Sequence, residues 1–369
     1  MATTKKPIPI YTLAVHKGAH FEEATSIALL QALGEEFFPG VKTAKIVEWP
    51  YGGGTPDGRS AEAWEAEGYL GIGVGRGRFD EHAPIDGDRK AGKSALSLVA
   101  EYLGADEHPW MAKVIELVTD EDLHASSGVL SIATCIKMMH QQDCDPTAVM
   151  EWAIEAAATF IRHEMLFYTT VRKEFDDKAK TTTVQYKGQT RTIAWIETDT
   201  PQMAKYARAK HGGNVSVIIM RNSRGNVQIL PNLSHGVRMY DVIQMLRLAE
   251  QEKKGKVVTY RWDDLRREGQ VLGAEEWYFQ EEGQMVFNGS LTNPDVTPTK
   301  LTLEDIVAIV KIGMSDGFEP SREKGICLKN RCDHGQCPWY DFGLGRCRSL
   351  RYIIANPKAA SRGKATAAA

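Results

Sequence analysis

Between residues 10 and 139 the chain switches repeatedly between two hydrophobic periods, and that alternation limits its folds more than any other feature. The runs "IYTLAV" (10–15), "AKIVEW" (44–49) and "YLGIGV" (69–74) are short and apolar, as buried strands are. Around them lie segments with apolar residues three or four apart. These are "EEATSIALLQAL" (22–33), with Ile27, Leu30 and Leu33 on one side, "SALSLVAEYL" (94–103), "MAKVIELVTDEDL" (111–123) and "GVLSIATCIKMM" (128–139). Parallel neighbours need a crossover, which a helix supplies, so the pattern predicts an α/β domain whose mainly parallel sheet is flanked by helices.

Residues 143–180 predict one long helix, with Asp145 as its cap and Pro146 at the first helical position. Beyond it the pattern turns to hairpins: "TTTVQYKGQTRTIAWIET" turns at Lys187-Gly188 and "VSVIIMRNSRGNVQIL" at "NSRGN". The expected organisation is an α/β domain over 1–145, a connecting helix over 146–180 and a smaller α+β substrate-binding domain over 181–315. A Cys-rich metal knuckle over 316–350 and a small, basic tail over 351–369, expected to be disordered, complete it.

Four of the six cysteines, Cys327, Cys332, Cys337 and Cys347, fall within 21 residues. In a reducing compartment such bunching points to a metal rather than to disulfides. Four thiolates, or three with His334, suffice for tetrahedral zinc, and a four-cysteine iron–sulfur cluster is the rival. Residues 320–369 hold ten Lys or Arg against three acids, a net +7 on a chain whose net charge is −3. A basic end on an acidic body suits a polyanionic partner or a solvated tail. Trp339, Tyr340 and Phe342 among the arginines would stack on bases or pack around the knuckle. The opening "MATTKKPIPIYTLAVHKG" has no apolar run of signal-peptide length, and no stretch approaches the ~18 apolar residues of a membrane span. The expectation is a cytoplasmic protein away from the membrane, with a homodimer as one assembly open to it.

"FDEHAPIDGDRKAGKSALSLVAEYLG" (79–104) contains Gly-x4-Gly-Lys-Ser, the spacing of a phosphate-binding P-loop. A P-loop follows directly on a buried strand, whereas Gly87 follows the charged, proline-containing "FDEHAPID". Metal ligands are the stronger reading. "AVHKGAHFEEA" places His16, His20, Glu22 and Glu23 just after the first strand, at the carboxyl edge where open α/β sheets bind ligands. Asp80-Glu81-His82 form a second group, and "LVTDEDLHA" adds Asp120, Asp122 and His124. Imidazole and carboxylate together suit manganese, zinc or magnesium.

With "HKGAHFEEA", "GIGVGRGRFDEH" and "LVTDEDLH" in view, the chain resembles the DHH phosphoesterase superfamily over roughly residues 8–315. Within it, the pattern is most similar to the exonuclease branch named for the melanocyte proliferating gene product. The resemblance implies metal-dependent hydrolysis of phosphodiester or phosphomonoester bonds in nucleic acid or nucleotides. It puts His16, His20 and Glu22 at metal-ligand positions, Glu81 at a ligand histidine's place and Asp120 at the last metal-binding aspartate. His82, with Asp80, takes the catalytic, substrate-contacting place. Manganese, magnesium or zinc would be the cofactor, zinc being favoured by the imidazole of His20. Lys210, His211, Gly212 and Gly213 would hold the rest of the substrate. Gly73 departs from the pattern, standing where relatives have an aspartate that bridges two metals. Glu23 or Asp122 would then replace it, or the site would bind one cation. The alternatives are a degenerate relative that binds nucleic acid or nucleotide without cleaving it, and an interaction module built on the cysteines.

Overall fold

The computed structural model describes residues 6–50, 54–82, 92–124, 128–259, 262–290, 293 and 295–316. Cys327, Cys332, Cys337 and Cys347, like the basic tail, lie outside the described residues. The protein is α/β and divides into two compact units, residues 1–170 and 171–369. Among the described residues no helix is long and apolar enough to cross a membrane.

The first unit runs β1 (Thr12–His16), α1 (Phe21–Leu33), β2 (Lys45–Trp49), α2 (Ala61–Ala66), β3 (Tyr69–Gly71), α3 (Ala95–Leu103), α4 (Pro109–His124), α5 (Ile132–Gln141) and α6 (Pro146–Leu166). Its three strands are parallel in the order β2-β1-β3, with Thr12 opposite both Lys45 and Tyr69. Alternation along β1 sends Leu13 and Val15 into the large helical core with Ile27, Leu30, Leu96 and Val114. Ala14 faces the other way, into a smaller cluster with Trp49, Val74, Trp64 and Tyr69. Strand β3 is shorter than its apolar run, because beyond Gly71 the chain leaves the sheet as a loop held by an isolated bridge between Ile72 and Phe79. The helix expected over 128–139 starts later, at Ile132, where Ser131 caps it by accepting the Thr134 N–H at 3.1 Å.

Asp145 caps α6 through the N–H groups of Thr147 and Ala148. A π-helical turn, Phe167–Val171, interrupts the predicted long helix before α7 (Arg172–Lys178), and the boundary between the units falls within it.

The second unit continues with β4 (Lys180–Tyr186), β5 (Gln189–Glu197), α8 (Met203–Arg208), β6 (Val217–Arg221), β7 (Val227–Pro231), α9 (Tyr240–Lys253), α10 (Trp262–Arg266), β8 (Tyr278–Gln280), β9 (Met285–Asn288) and α11 (Leu303–Gly313). Its mixed sheet has the order β4-β5-β6-β7-β9-β8, and only β5 and β6 pair in parallel. The predicted hairpin turns at Lys187 and Gly188, both with positive φ (52° and 71°), the conformation of a type I′ turn.

Arg247 on α9 is fully buried and donates to the carbonyls of Leu265 (2.8 Å), Arg267 (2.7 Å), Trp277 (3.2 Å) and Gly269. Lysine has no planar fork with which to reach all four. Arg247→Lys is expected to lower stability by about 2 kcal/mol or more, read as an earlier urea midpoint; an unchanged midpoint would contradict this role for the guanidinium.

Candidate functional site

Because the strands of the first unit are parallel, the loops leaving their carboxyl ends gather at one edge of the sheet. His16 is the last residue of β1, and α1 begins at Phe21, so His20, Glu22 and Glu23 stand at that edge. The loop after β3 brings Asp80, Glu81 and His82, and α4 brings Asp122. Three sets of three side chains result, His16–His20–Glu23, Glu22–Glu81–Asp122 and, sharing Glu81, Asp80–Glu81–His82, each with ligand atoms no more than 4.8 Å apart. Glu22, Glu23, Asp80 and Glu81 are each at most 3% exposed, although a carboxylate is rarely buried without compensation.

Each buried group is held in its own way. Glu23 Oε1 lies 3.1 Å from His16 Nε2, and its Oε2 accepts the His20 N–H at 2.7 Å. His16 Nδ1 faces the Lys17 carbonyl at 3.0 Å, so both ring nitrogens find acceptors. Burial disfavours charge on this ring, but the bond to and charge of Glu23 prevail and raise its pKa from 6.5 to about 9. Burial likewise opposes ionisation of Glu23, yet its bond to His16 and the two nearby imidazoles hold its pKa below the usual value. His20, whose ring centre lies 5.0 Å from that of His16, is pushed down, chiefly by burial.

Glu22 Oε1 accepts the Ala95 N–H at 2.6 Å, at the start of α3. Its Oε2 is buried and receives no donor. Burial first, then the charges of Glu23, Glu81 and Asp122, push the Glu22 carboxyl far above the carboxylate range. Asp80 accepts the N–H of Arg76 at 2.6 Å and that of His82 at 3.0 Å, and its Oδ1 lies 2.8 Å from His82 Nδ1. That bond fixes the imidazole of His82, whose side chain is 54% exposed.

The structure brings His16, His20, Glu22, Glu81, Asp80 and His82 together, but not Asp120. Its Oδ1 lies 3.2 Å from His124 Nδ1 in an exposed pair, and Asp122 stands beside Glu22 and Glu81 instead. Two residues along a helix turn a side chain by about 200°, so only one of the two aspartates can face inward. The sequence carried a signal for the inward-facing one, since Met111, Val114 and Val118 are among the buried positions of α4 and Asp122 continues their phase. Glu23 was visible as an acid in the first helical turn, but nothing in its spacing told it apart from Glu22 as a ligand.

Lys210 and His211 are exposed in the turn after α8. Gly212 and Gly213 have a packing reason of their own, because a Cβ would lie 2.2 Å from the Tyr206 carbonyl oxygen and 2.9 Å from that of Ala207, respectively.

The donor set fits a divalent cation. Bonds of about 2.0–2.2 Å span ligand atoms up to roughly 4.4 Å apart, so the His16–His20–Glu23 and Glu22–Glu81–Asp122 sets each close with a small adjustment, and a cation would compensate the Glu22 oxygen that lacks a donor. Beside Glu22 lies a cavity of about 100 Å³, lined in part by His20, Asp122 and Lys137.

No family model and no curated protein matches this chain. Among solved structures, one similar chain is an uncharacterized protein from Helicobacter pylori G27. It shares 10% identity at a TM-score of 0.21, over 83% of this chain and 99% of that one. Agreement at this level carries no argument about fold or activity.

The folded protein holds the His16 proton more tightly than the unfolded chain, whose histidine titrates near 6.5. This contribution to stability is therefore complete below about pH 6.5 and lost as pH climbs through about 9. In chelator-treated buffer, stability should fall between those values, and His16→Asn should flatten the fall. Urea midpoints across a pH series measure it; equal slopes for both proteins would exclude the ion pair as the cause.

Proposed function

We propose that the first unit is a divalent-cation-dependent phosphoesterase of DHH type, acting on phosphodiester or phosphomonoester bonds of nucleic acid or a nucleotide. The observation that carries this reading is the meeting of imidazoles and carboxylates from distant segments at a sheet's carboxyl edge, with a buried Glu22 oxygen that receives no donor. The resemblance of "HKGAHFEEA" and the Asp80-Glu81-His82 region to the DHH superfamily supplies the reaction class.

His16, His20 and Glu23 would hold one cation, and Glu22, Glu81 and Asp122 would hold another or complete the same centre. Manganese, magnesium and zinc all suit imidazole with carboxylate. A bound cation would make hydroxide available near neutral pH and neutralise charge on the phosphoryl oxygens. His82, oriented by Asp80 through Nδ1, would meet a substrate phosphate or protonate the departing oxygen. Lys137, paired with Glu121 at 3.1 Å and lining the adjacent cavity, would be the cation nearest an anionic substrate entering there. On spacing alone, Cys327, Cys332, Cys337 and Cys347 are proposed to hold a separate zinc ion.

Metal analysis of the purified protein, followed by a phosphoesterase screen with manganese, tests the reading. Hydrolysis of a nitrophenyl phosphate ester or a short oligonucleotide is expected, and His82→Ala should lower kcat by about 10²-fold or more. Manganese binding without turnover of any ester would favour the degenerate, ligand-binding relative, and no binding by a protein with intact cysteines would sink the reading. Because His16 and Glu22 hold protons that ligands must give up, manganese binding should release protons and tighten as pH rises. Calorimetry in buffers of different ionisation enthalpy measures that release.

A further inference from the structure

Gly73 interrupts the resemblance at the position where a carboxylate belongs, and its surroundings explain the interruption. Its φ is +63°, in the left-handed region that favours glycine. The backbone there is fixed, since the Gly73 N–H donates to the Phe79 carbonyl at 2.9 Å beside the Ile72–Phe79 bridge. A Cβ on residue 73 would lie 2.6 Å from Glu23 Oε1 and 3.3 Å from both Cδ and Cγ of the same side chain. Glu23 cannot swing aside cheaply: it is 3% exposed, with one oxygen 3.1 Å from His16 Nε2 and the other on the His20 N–H at 2.7 Å.

We propose that Glu23, from the first turn of α1, supplies the cation-binding carboxylate that residue 73 lacks, and that residue 73 is glycine because Glu23 fills the space its side chain would need. This rests on the metal reading above. The space admits one carboxylate, which either the helix or the loop can provide, but not both. Glu23 also belongs to the His16–His20 ligand set, whereas Asp122, the other candidate replacement, belongs to the Glu22–Glu81 set. The Glu22 oxygen without a donor belongs to that second set, so each of the two sets has its own carboxylate from the first turn of α1. Restoring aspartate at residue 73 alone would therefore harm the site, not repair it.

The test is a pair of substitution cycles in the full chain. Thermal unfolding with chelator reads the competition for space, and calorimetric titration with manganese reads the ligand role. Gly73→Ala should lower the melting temperature of the native protein more than that of a Glu23→Ala background, because the clash disappears with Glu23. Glu23→Ala should weaken manganese binding at least about tenfold. Gly73→Asp alone should destabilise without tightening binding, while Gly73→Asp combined with Glu23→Ala should recover most of the lost affinity. Should Glu23→Ala fail to fold, Glu23→Gln keeps the shape and should lose affinity while remaining intolerant of a side chain at residue 73. Equal penalties for Gly73→Ala in both backgrounds would mean the glycine serves backbone conformation alone, and would overturn the claim about space. A double variant that binds no better than Glu23→Ala would overturn the ligand exchange. If the native protein binds no manganese, the ligand claim falls with the metal reading, and the unfolding cycle still decides the claim about space.

Discussion

Glu22, Glu23, Asp80 and Glu81 have given up nearly all contact with water, and a buried carboxylate is tolerated only where donors or opposite charge replace its hydration. Meeting that demand fixes much of the first unit. The end of β1 contributes the His16 ring, the α1 entry the His20 N–H, the loop after β3 the N–H groups of Arg76 and His82, and the start of α3 the Ala95 N–H. Move any of these elements and a desolvated charge loses its partner. The left-handed Gly73 lets the chain after β3 pass close to Glu23.

The second unit contains the complementary case. Arg247 is a cation buried as deeply as those carboxylates, and four backbone carbonyls converge on its two terminal nitrogens, while its Nε has no partner. Glu250, equally buried, accepts from Trp277 Nε1, Thr299 Oγ1 and the Lys300 N–H. Both are held chiefly by backbone and side-chain groups of the second unit. On Glu22 one oxygen has its donor and the other does not. Glu22 also sits among imidazoles and other carboxylates, and a buried carboxyl with a raised pKa in such company is the kind of group that functional sites gather.

The alternation of apolar periods was enough to determine the α/β class, the parallel sheet of the first unit and the hairpin at Lys187-Gly188, because strand and helix periods are properties of neighbouring residues. It also placed His16, His20 and Glu22 between the end of a strand and the start of a helix, where the structure has them, since the end of a parallel strand is a location that local pattern can reveal. Tertiary structure alone decided which acids face one another. Asp122, not Asp120, stands beside Glu22 and Glu81 because the packing of α4 fixes its rotation, and a Cβ at residue 73 would meet Glu23 because two segments fifty residues apart come within a few ångströms. Spacing along a chain carries no record of such an approach; it exists only once the helix and the loop are folded against each other.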